Sequence, residues 1–396
     1  MSAPFLLDLS HTGHSRARTG IQRVTRSLYN ALGAQAIAIT HDPHARAWRA
    51  FEPWEHANLA DESPAAGRGA KWPLGAKLRG TARRLVGNAS ARLPENAGLI
   101  VPEVFSEQIT RALPTLFAAT PGPRVAVFHD AIALKYPELT PNKTVARFPA
   151  YLVELLSFDG VAAVSEDSRA ALVDYWRWLG AKNPPPVRAI SLGTDPRPPA
   201  RNGEKSPAGG RPIVLSVGSI EGRKNHISLL AACEKLWASG NQFSLHLVGT
   251  SHPQTGAAAL ARIRSLQAAG RPLRYDGAVS DAAVEAAYAA CTFTVYPSLM
   301  EGFGLPVIES VAHGKPCICS AHGALAESAR AGGSLMLESV DESALAAAIT
   351  RFIVEPGLLA NLTAEARARR FKSWAGYASE LTEWICGLKR RDRTGR

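Results

Sequence analysis

The second half of this chain alternates short apolar stretches with helical stretches in a fixed order, and this alternation constrains the fold most. An apolar stretch begins at Arg211, a helix is predicted from Lys224 to about Ala238, and 243–249 is apolar again. The order continues with strands predicted at 274–277, 291–296 and 316–320 and helices predicted at 281–290 and 305–313. Because these strands are apolar along their whole length, they predict a parallel sheet covered on both faces.

The first half has the same character, with longer insertions between its elements. Strands are predicted at 5–9, 124–128 and 161–164, and a helix at about 21–32. Between the halves, 194–212 is rich in Pro, Gly and polar residues, as linkers are. The prediction is an α/β fold of two Rossmann-like, doubly wound parallel-sheet domains that face an interdomain cleft. The predicted parts are an N-terminal acceptor-binding domain at 1–200, a nucleotide-sugar donor domain at 201–375, and a C-terminal helix and basic tail at 376–396 that can return to the N-terminal domain.

Composition narrows the class of protein. Of the 396 residues, 46% are hydrophobic and 20% charged, which suits two soluble globular cores. No apolar run approaches the roughly 20 residues that cross a bilayer, and the first residues lack a signal-peptide pattern, so we expect a cytoplasmic protein. The five cysteines show no C-x-x-C pair, and we expect reduced core thiols and no metal site: Cys233, Cys291, Cys317, Cys319 and Cys386.

The net charge of +11 calls for an anionic partner. One stretch, 67–93, contains no Asp or Glu and interleaves cations with apolar residues. It can lie on an anionic membrane surface, or it can be a solvated, partly disordered loop. No nucleic-acid-binding module is recognisable. The residues concerned are Arg68, Lys71, Trp72, Leu74, Lys77, Leu78, Arg79, Arg83, Arg84, Leu85, Val86 and Arg92.

The segment 296–310 predicts a strand end, a glycine-rich turn and a helix start. Gly302 and Gly304 allow the backbone to approach a ligand, and amides near Phe303–Leu305 become free to bind an anion. Glu301 precedes the turn and Glu309 lies about one turn into the helix, so the two carboxylates can hold different polyol parts of one ligand. The alternative is that both acidic residues only cap and decorate a helix start.

A second segment, 217–226, predicts a strand, a loop and a helix. Its cation pair, Arg223 and Lys224, can neutralise a diphosphate, the arginine through a forked contact and the lysine as a point charge. Gly218 opens this loop. For an isolated pair, solvated surface charge is the ordinary alternative.

The first half offers two weaker candidates. His129 and Asp130 follow a predicted strand, and His-Asp suggests a metal-dependent phosphohydrolase, but no further ligand set matches. Gly20 stands at a helix start and permits close approach to a phosphate or an acceptor, with Arg23 nearby. Ser165 is predicted to cap the helix that follows it.

The spelling E-G-F-G-L-P-x-x-E at 301–309 resembles glycosyltransferase family 4, whose members retain the anomeric configuration and have the GT-B fold. The resemblance implies that Glu301 contacts sugar hydroxyls and that Glu309 holds the ribose hydroxyls. It implies further that the 302–305 backbone meets sugar and diphosphate, and that Arg223 and Lys224 at G-x-x-x-x-R-K-N bind the diphosphate. V-x-H-D at 127–130 resembles an element common in the family's first domain, and this resemblance implies that His129 lies near the transferred sugar. The family often has Gly-Gly where this chain has Thr19 and Gly20, a departure that resembles a subset serving cell-surface polysaccharide synthesis.

These features predict a retaining, metal-free glycosyltransferase. We expect it to move a hexose or deoxyhexose, mannose-type favoured, from a nucleoside-diphosphate sugar to a glycan or lipid-linked glycan at the inner face of the plasma membrane. Two alternatives stay open, a non-catalytic protein that binds sugar nucleotides or glycans and a GT-B-like sugar-nucleotide epimerase. A nicotinamide-dependent enzyme would need G-x-G-x-x-G after an opening strand, and the chain lacks it.

Overall fold

The computed structural model describes residues 3–61, 63, 69–86, 93–194 and 210–391. Most of the linker predicted at 194–212 therefore lies outside the described residues, as do Arg68 and Arg92 of the basic stretch. The strands, numbered along the chain, are β1 (Phe5–Asp8), β2 (Ala36–Asp42), β3 (Ala47–Ala50), β4 (Gly98–Val101), β5 (Arg124–Phe128), β6 (Gly160–Ala163), β7 (Val187–Ala189), β8 (Ile213–Val217), β9 (Ser244–Val248), β10 (Leu273–Asp276), β11 (Phe293–Tyr296), β12 (Cys317–Ser320) and β13 (Ser334–Leu337).

The helices are numbered in the same way. They are α1 (Gly20–Leu32), α2 (Pro53–Ala60), α3 (Leu74–Leu85), α4 (Glu107–Ala118), α5 (Ile132–Lys135), α6 (Asn142–Glu154), α7 (Glu166–Trp178), α8 (His226–Ala238), α9 (Ala257–Ala268), α10 (Asp281–Ala290), α11 (Leu305–Ala312), α12 (Gly323–Ala329), α13 (Glu342–Val354), α14 (Pro356–Ala368) and α15 (Trp374–Cys386).

The chain forms two compact units. The first comprises Met1–His129, Arg147–Gly193 and Lys372–Arg396, and the second comprises Asp130–Ala146 and Thr194–Phe371. In the first unit α15 packs against α1, so the last described helix belongs with the beginning of the chain. The predicted domain limits at 200 and 375 stay a prediction.

The first unit contains a seven-stranded sheet in the order β3-β2-β1-β4-β5-β6-β7. All neighbours are parallel, as predicted, except β2 and β3, which form an antiparallel pair at one edge of the sheet. Only four residues, 43–46, connect the two strands, and so short a connection can join only antiparallel strands. Asp42 stabilises the turn, since its Oδ1 accepts from the N–H groups of His44 (2.9 Å) and Ala45 (3.0 Å).

The second unit contains a six-stranded sheet, entirely parallel, in the order β10-β9-β8-β11-β12-β13. Its strands bury Leu245, Leu247 and Phe293 in one core with α8, α9 and α13, which confirms the alternating pattern read from the sequence. After β8 the chain forms β9 and β10 on one side of that strand, and it then returns to form β11 on the other side. Ligands of open α/β sheets bind where the strand order reverses in this way.

Four of the five cysteines are buried, as expected. Cys317 and Cys319 lie on β12 and pack with Val307 and Leu325. The expectation of a core thiol is wrong for Cys386, which is exposed. It ends α15 one residue after the buried Ile385, and one residue turns the side chain by about 100° around a helix.

Within the described ranges, no single helix has both the length and the apolar composition to span a membrane. Helices α13 and α14 together pass that test, but they are bent by 92° at their junction. The side of α13 that carries Leu345, Ile349 and Phe352 is buried in the core of the second unit.

Candidate functional site

The two most specific sequence segments lie next to each other in the second unit. Strands β8 and β11 are parallel neighbours, with Val214 opposite Phe293, so the loops that follow them leave the same edge of the sheet. The loops are also joined through the backbone, because the N–H of Leu299 donates to the carbonyl oxygen of Arg223 at 2.9 Å. The reversal of strand order thus places the glycine-rich turn beside the cation pair.

Glu301 lies between the two cations. Nη1 of Arg223 donates to its Oε2 at 2.8 Å, and Nζ of Lys224 donates to its Oε1. A second carboxylate, Glu221, accepts from Nη2 of Arg223 at 3.1 Å. The Glu301 side chain is only 9% exposed, so this network is largely removed from water. The sequence predicted the individual residues but neither their direct pairing nor the part played by Glu221.

In this network the charged forms of Glu301 and Arg223 stabilise each other. Burial would raise the pKa of Glu301, but Lys224 and Arg223 outweigh it and lower that pKa to about 2. Burial would likewise lower the pKa of Arg223, but Glu301, Glu221 and Asp130 raise it above its usual value. Glu301 and Arg223 are therefore charged at neutral pH, and the carboxylates hold the cations in fixed positions before any ligand arrives.

The backbone of the first loop explains where α8 begins. Residues Gly222–Lys224 form a single tight turn, and Asn225 follows with a left-handed φ of 53°. The side-chain amide of Asn225 stabilises this conformation, since its Nδ2 donates to the carbonyl oxygen of Val340 at 2.9 Å. The helix therefore starts at His226 and not at Lys224 as predicted. A Cβ on Gly218 would lie 4.0 Å from Nζ of Lys224, so this glycine leaves space beside the ammonium group.

The second loop ends in the predicted helix start. Gly304 precedes α11 with φ of 92°, and a Cβ there would lie 3.2 Å from Oγ of Ser328. That hydroxyl donates to the carbonyl oxygen of Phe303. Among the described residues, the amides of Phe303, Gly304 and Leu305 donate no backbone hydrogen bond in this turn. They are available to an anion, as the sequence predicted.

Glu309 lies one turn into α11 and is buried. The hydroxyl of Tyr288 donates to its Oε2 at 3.4 Å and lies 2.8 Å from the hydroxyl of Tyr296. His313 stacks on the Tyr288 ring at 4.2 Å between centroids and contacts the Glu309 carbonyl oxygen through Nδ1 at 2.7 Å. Sequence reasoning missed Tyr288 because its position on α10 is that of an ordinary core residue. The available signal was a hydroxyl-bearing side chain on the helix that precedes β11, the strand before the candidate carboxylate Glu309.

The remaining candidates belong to the first unit. His129 follows β5 and is buried, with Nε2 at 2.7 Å from the carbonyl oxygen of Pro102. Ser168 donates to the carbonyl oxygen of His129 at 2.9 Å, and Ser165 caps α7 as predicted by accepting the Ser168 N–H at 3.1 Å. Gly20 is the first residue of α1, and a Cβ there would meet no described atom within 4 Å.

A carboxylate pair at the edge where β1 and β4 end was not predicted. Glu103 accepts the N–H groups of His11 and Thr12, each at 3.0 Å. Burial raises the pKa of Asp8 to about 7, with a further contribution from Glu103. An acidic residue two positions after the apolar strand β4 was the signal for this pair, and Glu103 fixes the loop preceding α1.

Comparisons with known proteins agree with this architecture. Residues 200–369 match the family model described as glycosyl transferases group 1. The serotype-specific mannosyltransferase WbdA of Escherichia coli is 26% identical over 349 residues, which cover 79% of this chain and 38% of WbdA. The O-antigen chain mannosyltransferase B of Escherichia coli is 29% identical over 63% of this chain and 66% of its own length. The chain thus spans well under half the length of the WbdA relatives it matches.

Solved structures show the fold. A sucrose-phosphate synthase from Thermosynechococcus elongatus superposes with a TM-score of 0.68 at 22% identity, over 96% of this chain and 98% of that one. The Anabaena protein Alr3699/HepE, solved with UDP and glucose, gives a TM-score of 0.67 at 16% identity, over 98% and 100%. The fold is GT-B. By their descriptions, the family model and these curated relatives are glycosyltransferases.

Proposed function

We propose that this protein is a retaining glycosyltransferase that moves a hexose or deoxyhexose from a nucleoside-diphosphate sugar to a glycan acceptor in polysaccharide synthesis. One observation carries the proposal: Arg223, Lys224 and Glu301 converge beside the N-terminus of α11, where the strand order reverses. Two fixed cations and a row of free amides suit a diphosphate, and an adjacent carboxylate suits sugar hydroxyls.

The leaving diphosphate is the centre of the chemistry. As the bond between the anomeric carbon and the phosphate oxygen breaks, Arg223 and Lys224 stabilise the charge that develops on the diphosphate. The acceptor hydroxyl forms the new bond to the same carbon from the same face, and its proton passes to a β-phosphate oxygen. Positive charge comes from the two side chains, and the proposed reaction uses no metal ion.

The polyol parts of the donor are assigned to carboxylates. Glu301, ionised because its pKa is lowered to about 2, accepts hydrogen bonds from the transferred sugar. Glu309 accepts hydrogen bonds from the ribose, with Tyr288 holding one of its oxygens. In the first unit, His129 orients the sugar and Gly20 leaves room for the phosphate or the acceptor.

Mannose is the favoured sugar, because the WbdA proteins and the O-antigen chain enzyme are mannosyltransferases by name. The latter name also supports a cell-surface polysaccharide as the product. We propose a lipid-linked form of the acceptor, which would bring the protein to the inner face of the plasma membrane as a peripheral protein.

A panel of nucleotide sugars tests the function. GDP-mannose, UDP-glucose, UDP-galactose and dTDP-rhamnose are screened by thermal shift, because a true donor stabilises the native state by mass action. The donor that stabilises is then incubated with and without glycan acceptors, and the anomeric configuration of the product is determined by NMR. Transfer with retention supports the proposal. Conversion of the donor without an acceptor supports an epimerase, and binding without turnover supports a non-catalytic protein.

A further inference from the structure

Helix α3 has an inner side that is fixed to the first unit. Ala76 and Gly80 are buried, and a Cβ on Gly80 would lie only 2.8 Å from Cβ of His44. Arg79 and Arg83 form ion pairs with Glu52, at 2.7 and 2.5 Å. The helix is therefore held in one orientation, with a defined outer side.

The outer side is apolar. Leu74, Leu78 and Leu85 are 73%, 63% and 81% exposed, and Val86, just beyond the helix, is 79% exposed. At 100° per residue the three leucines fall within about 40° of one another on the helix, so they form one continuous stripe. A single exposed leucine is ordinary, but a continuous stripe on a fixed helix marks a contact surface.

Cations border this stripe. Lys77 and Arg84 lie along one side of it, Lys71 precedes the helix, and all three are exposed. None of the three takes part in an ion pair with another described residue. The sequence contains no acidic residue between Glu62 and Glu95 that would neutralise them. Three other described members of the basic stretch have partners: Arg79 and Arg83 pair with Glu52, and Trp72 stacks on His14 at 4.1 Å.

We propose that α3 docks the protein on an anionic membrane surface, with Leu74, Leu78 and Leu85 inserted among the acyl chains and Lys77 and Arg84 at the lipid phosphates. Apolar insertion and attraction to anionic head groups are the two contributions that bind interfacial helices. A second copy of the chain fits the stripe less well, because pairing two such stripes would bring like charges together. The proposal deepens the proposed function by giving the part of the protein that reaches a membrane-bound acceptor.

Vesicle sedimentation with the full-length protein tests this surface. The vesicles are phosphatidylcholine, either pure or with 30 mol% phosphatidylglycerol, in 0.1 M salt. The wild type is expected to bind the anionic vesicles at least tenfold more tightly than the neutral ones. Lys77→Glu with Arg84→Glu should remove that preference, and Leu78→Ser with Leu85→Ser should weaken binding at least tenfold. Leu78→Phe, which keeps an apolar side chain, should bind like the wild type.

A matched pair on the second unit serves as the control. Val354 and Arg264 are exposed there, and Val354→Ser with Arg264→Glu should bind vesicles like the wild type. Circular dichroism and thermal unfolding identify any variant that does not fold. If the serine variant fails to fold, Lys77→Glu with Arg84→Glu, at two exposed positions, decides. The proposal is overturned if the wild type does not sediment with anionic vesicles, or if the Leu78→Ser, Leu85→Ser variant binds like the control. It is also overturned if light scattering shows a wild-type dimer that this variant abolishes. No sugar transfer enters this assay, so its failure would leave the proposed function standing.

Discussion

Lys224 and Glu301, 77 residues apart in sequence, form an ion pair across the loops that leave two hydrogen-bonded strands, β8 and β11. Arg223 binds the other oxygen of the same carboxylate, so one acidic side chain fixes both cations of the proposed diphosphate site. In the proposed reaction Glu301 therefore has two roles, since it positions the cations before the donor arrives and would contact the sugar afterwards.

This double role predicts that changes at the pair are not independent. Lys224→Met and Glu301→Gln should each lower the transfer rate by at least ~10²-fold, since each removes a charge placed for the transition state. The double variant should be much less impaired than the product of the two effects, because one change already breaks the pair. Steady-state kinetics with the identified donor measures this. Arg262→Met and Glu234→Gln, a more exposed ion pair in the same unit, should each change the rate less than twofold. Effects that multiply would show that Lys224 and Glu301 act separately.

Acid should weaken the folded state through Glu301. Its pKa in the folded protein, about 2, lies below the ordinary 4.5, so it stabilises the fold above pH 4.5 and loses that contribution as the pH falls toward 2. At neutral pH the full contribution of Glu301 to the free energy of unfolding is about 3 kcal/mol. Between pH 5 and 3.5, the difference in free energy of unfolding between wild type and Glu301→Gln should shrink by about 1 kcal/mol. Urea unfolding at both pH values measures it, and a constant difference would contradict the lowered pKa.

Tyr288 should act on donor binding through Glu309. Tyr288→Phe keeps the ring but removes the hydroxyl that holds Oε2, so we expect the dissociation constant of the nucleoside diphosphate to rise about tenfold. The effect should disappear with a 2′,3′-dideoxy nucleoside diphosphate, which has no ribose hydroxyls for Glu309. Isothermal titration calorimetry compares the two ligands. Tyr275→Phe, which removes a hydroxyl bonded to the carbonyl oxygen of Gly249, is the control. An equal loss with both ligands would indicate a structural role only.

Gly304→Ala should impair donor binding more than its cost in stability explains. The left-handed φ of 92° costs an alanine roughly 1–2 kcal/mol, and its Cβ would press on Ser328 and Leu325 beside the free amides. Gly240→Ala has the matched strain, with φ of 86° but no described atom within 4 Å of the new Cβ. Thermal unfolding should show a loss for both variants, while donor titration should show a loss only for Gly304→Ala. Weakened donor binding in both would point to a general loss of stability.

Much of the second unit could be predicted, because the sequence patterns that specify its helices and strands are local. Apolar strands separated by helices predicted the sheet of the second unit, and Gly302 with Gly304 predicted the start of α11 and the place of Glu309. Asn225 was the local exception, because a left-handed residue other than glycine leaves little trace in a sequence.

Contacts between distant segments were not predicted. Pairing of Lys224 with Glu301 depends on β8 and β11 being neighbours, while β9 and β10 lie between them in sequence. The antiparallel β3 was missed because 43–50 contains no continuous apolar run. From the sequence, the outer side of α3 could be recognised only as part of a basic stretch. Which of its arginines form ion pairs depends on Glu52, which lies 27 residues from Arg79 and 31 residues from Arg83 in the sequence.

The adjacency of β8 and β11 also has a consequence for how this protein can evolve or be re-engineered. Residues 250–256 bond to the first site loop, since the N–H of Ile220 donates to the carbonyl oxygen of Thr250 and the N–H of His252 donates to that of Ile220, both at 2.9 Å. Beyond them, α9, β10 and α10 lie outside the register of β8 and β11 that aligns the two site loops. Insertions, deletions or grafted segments around α9 and β10 can therefore accumulate without moving the cations relative to the glycine-rich turn. Chimeras that exchange α9 and β10 between relatives would show whether donor selectivity changes while the proposed diphosphate site is kept.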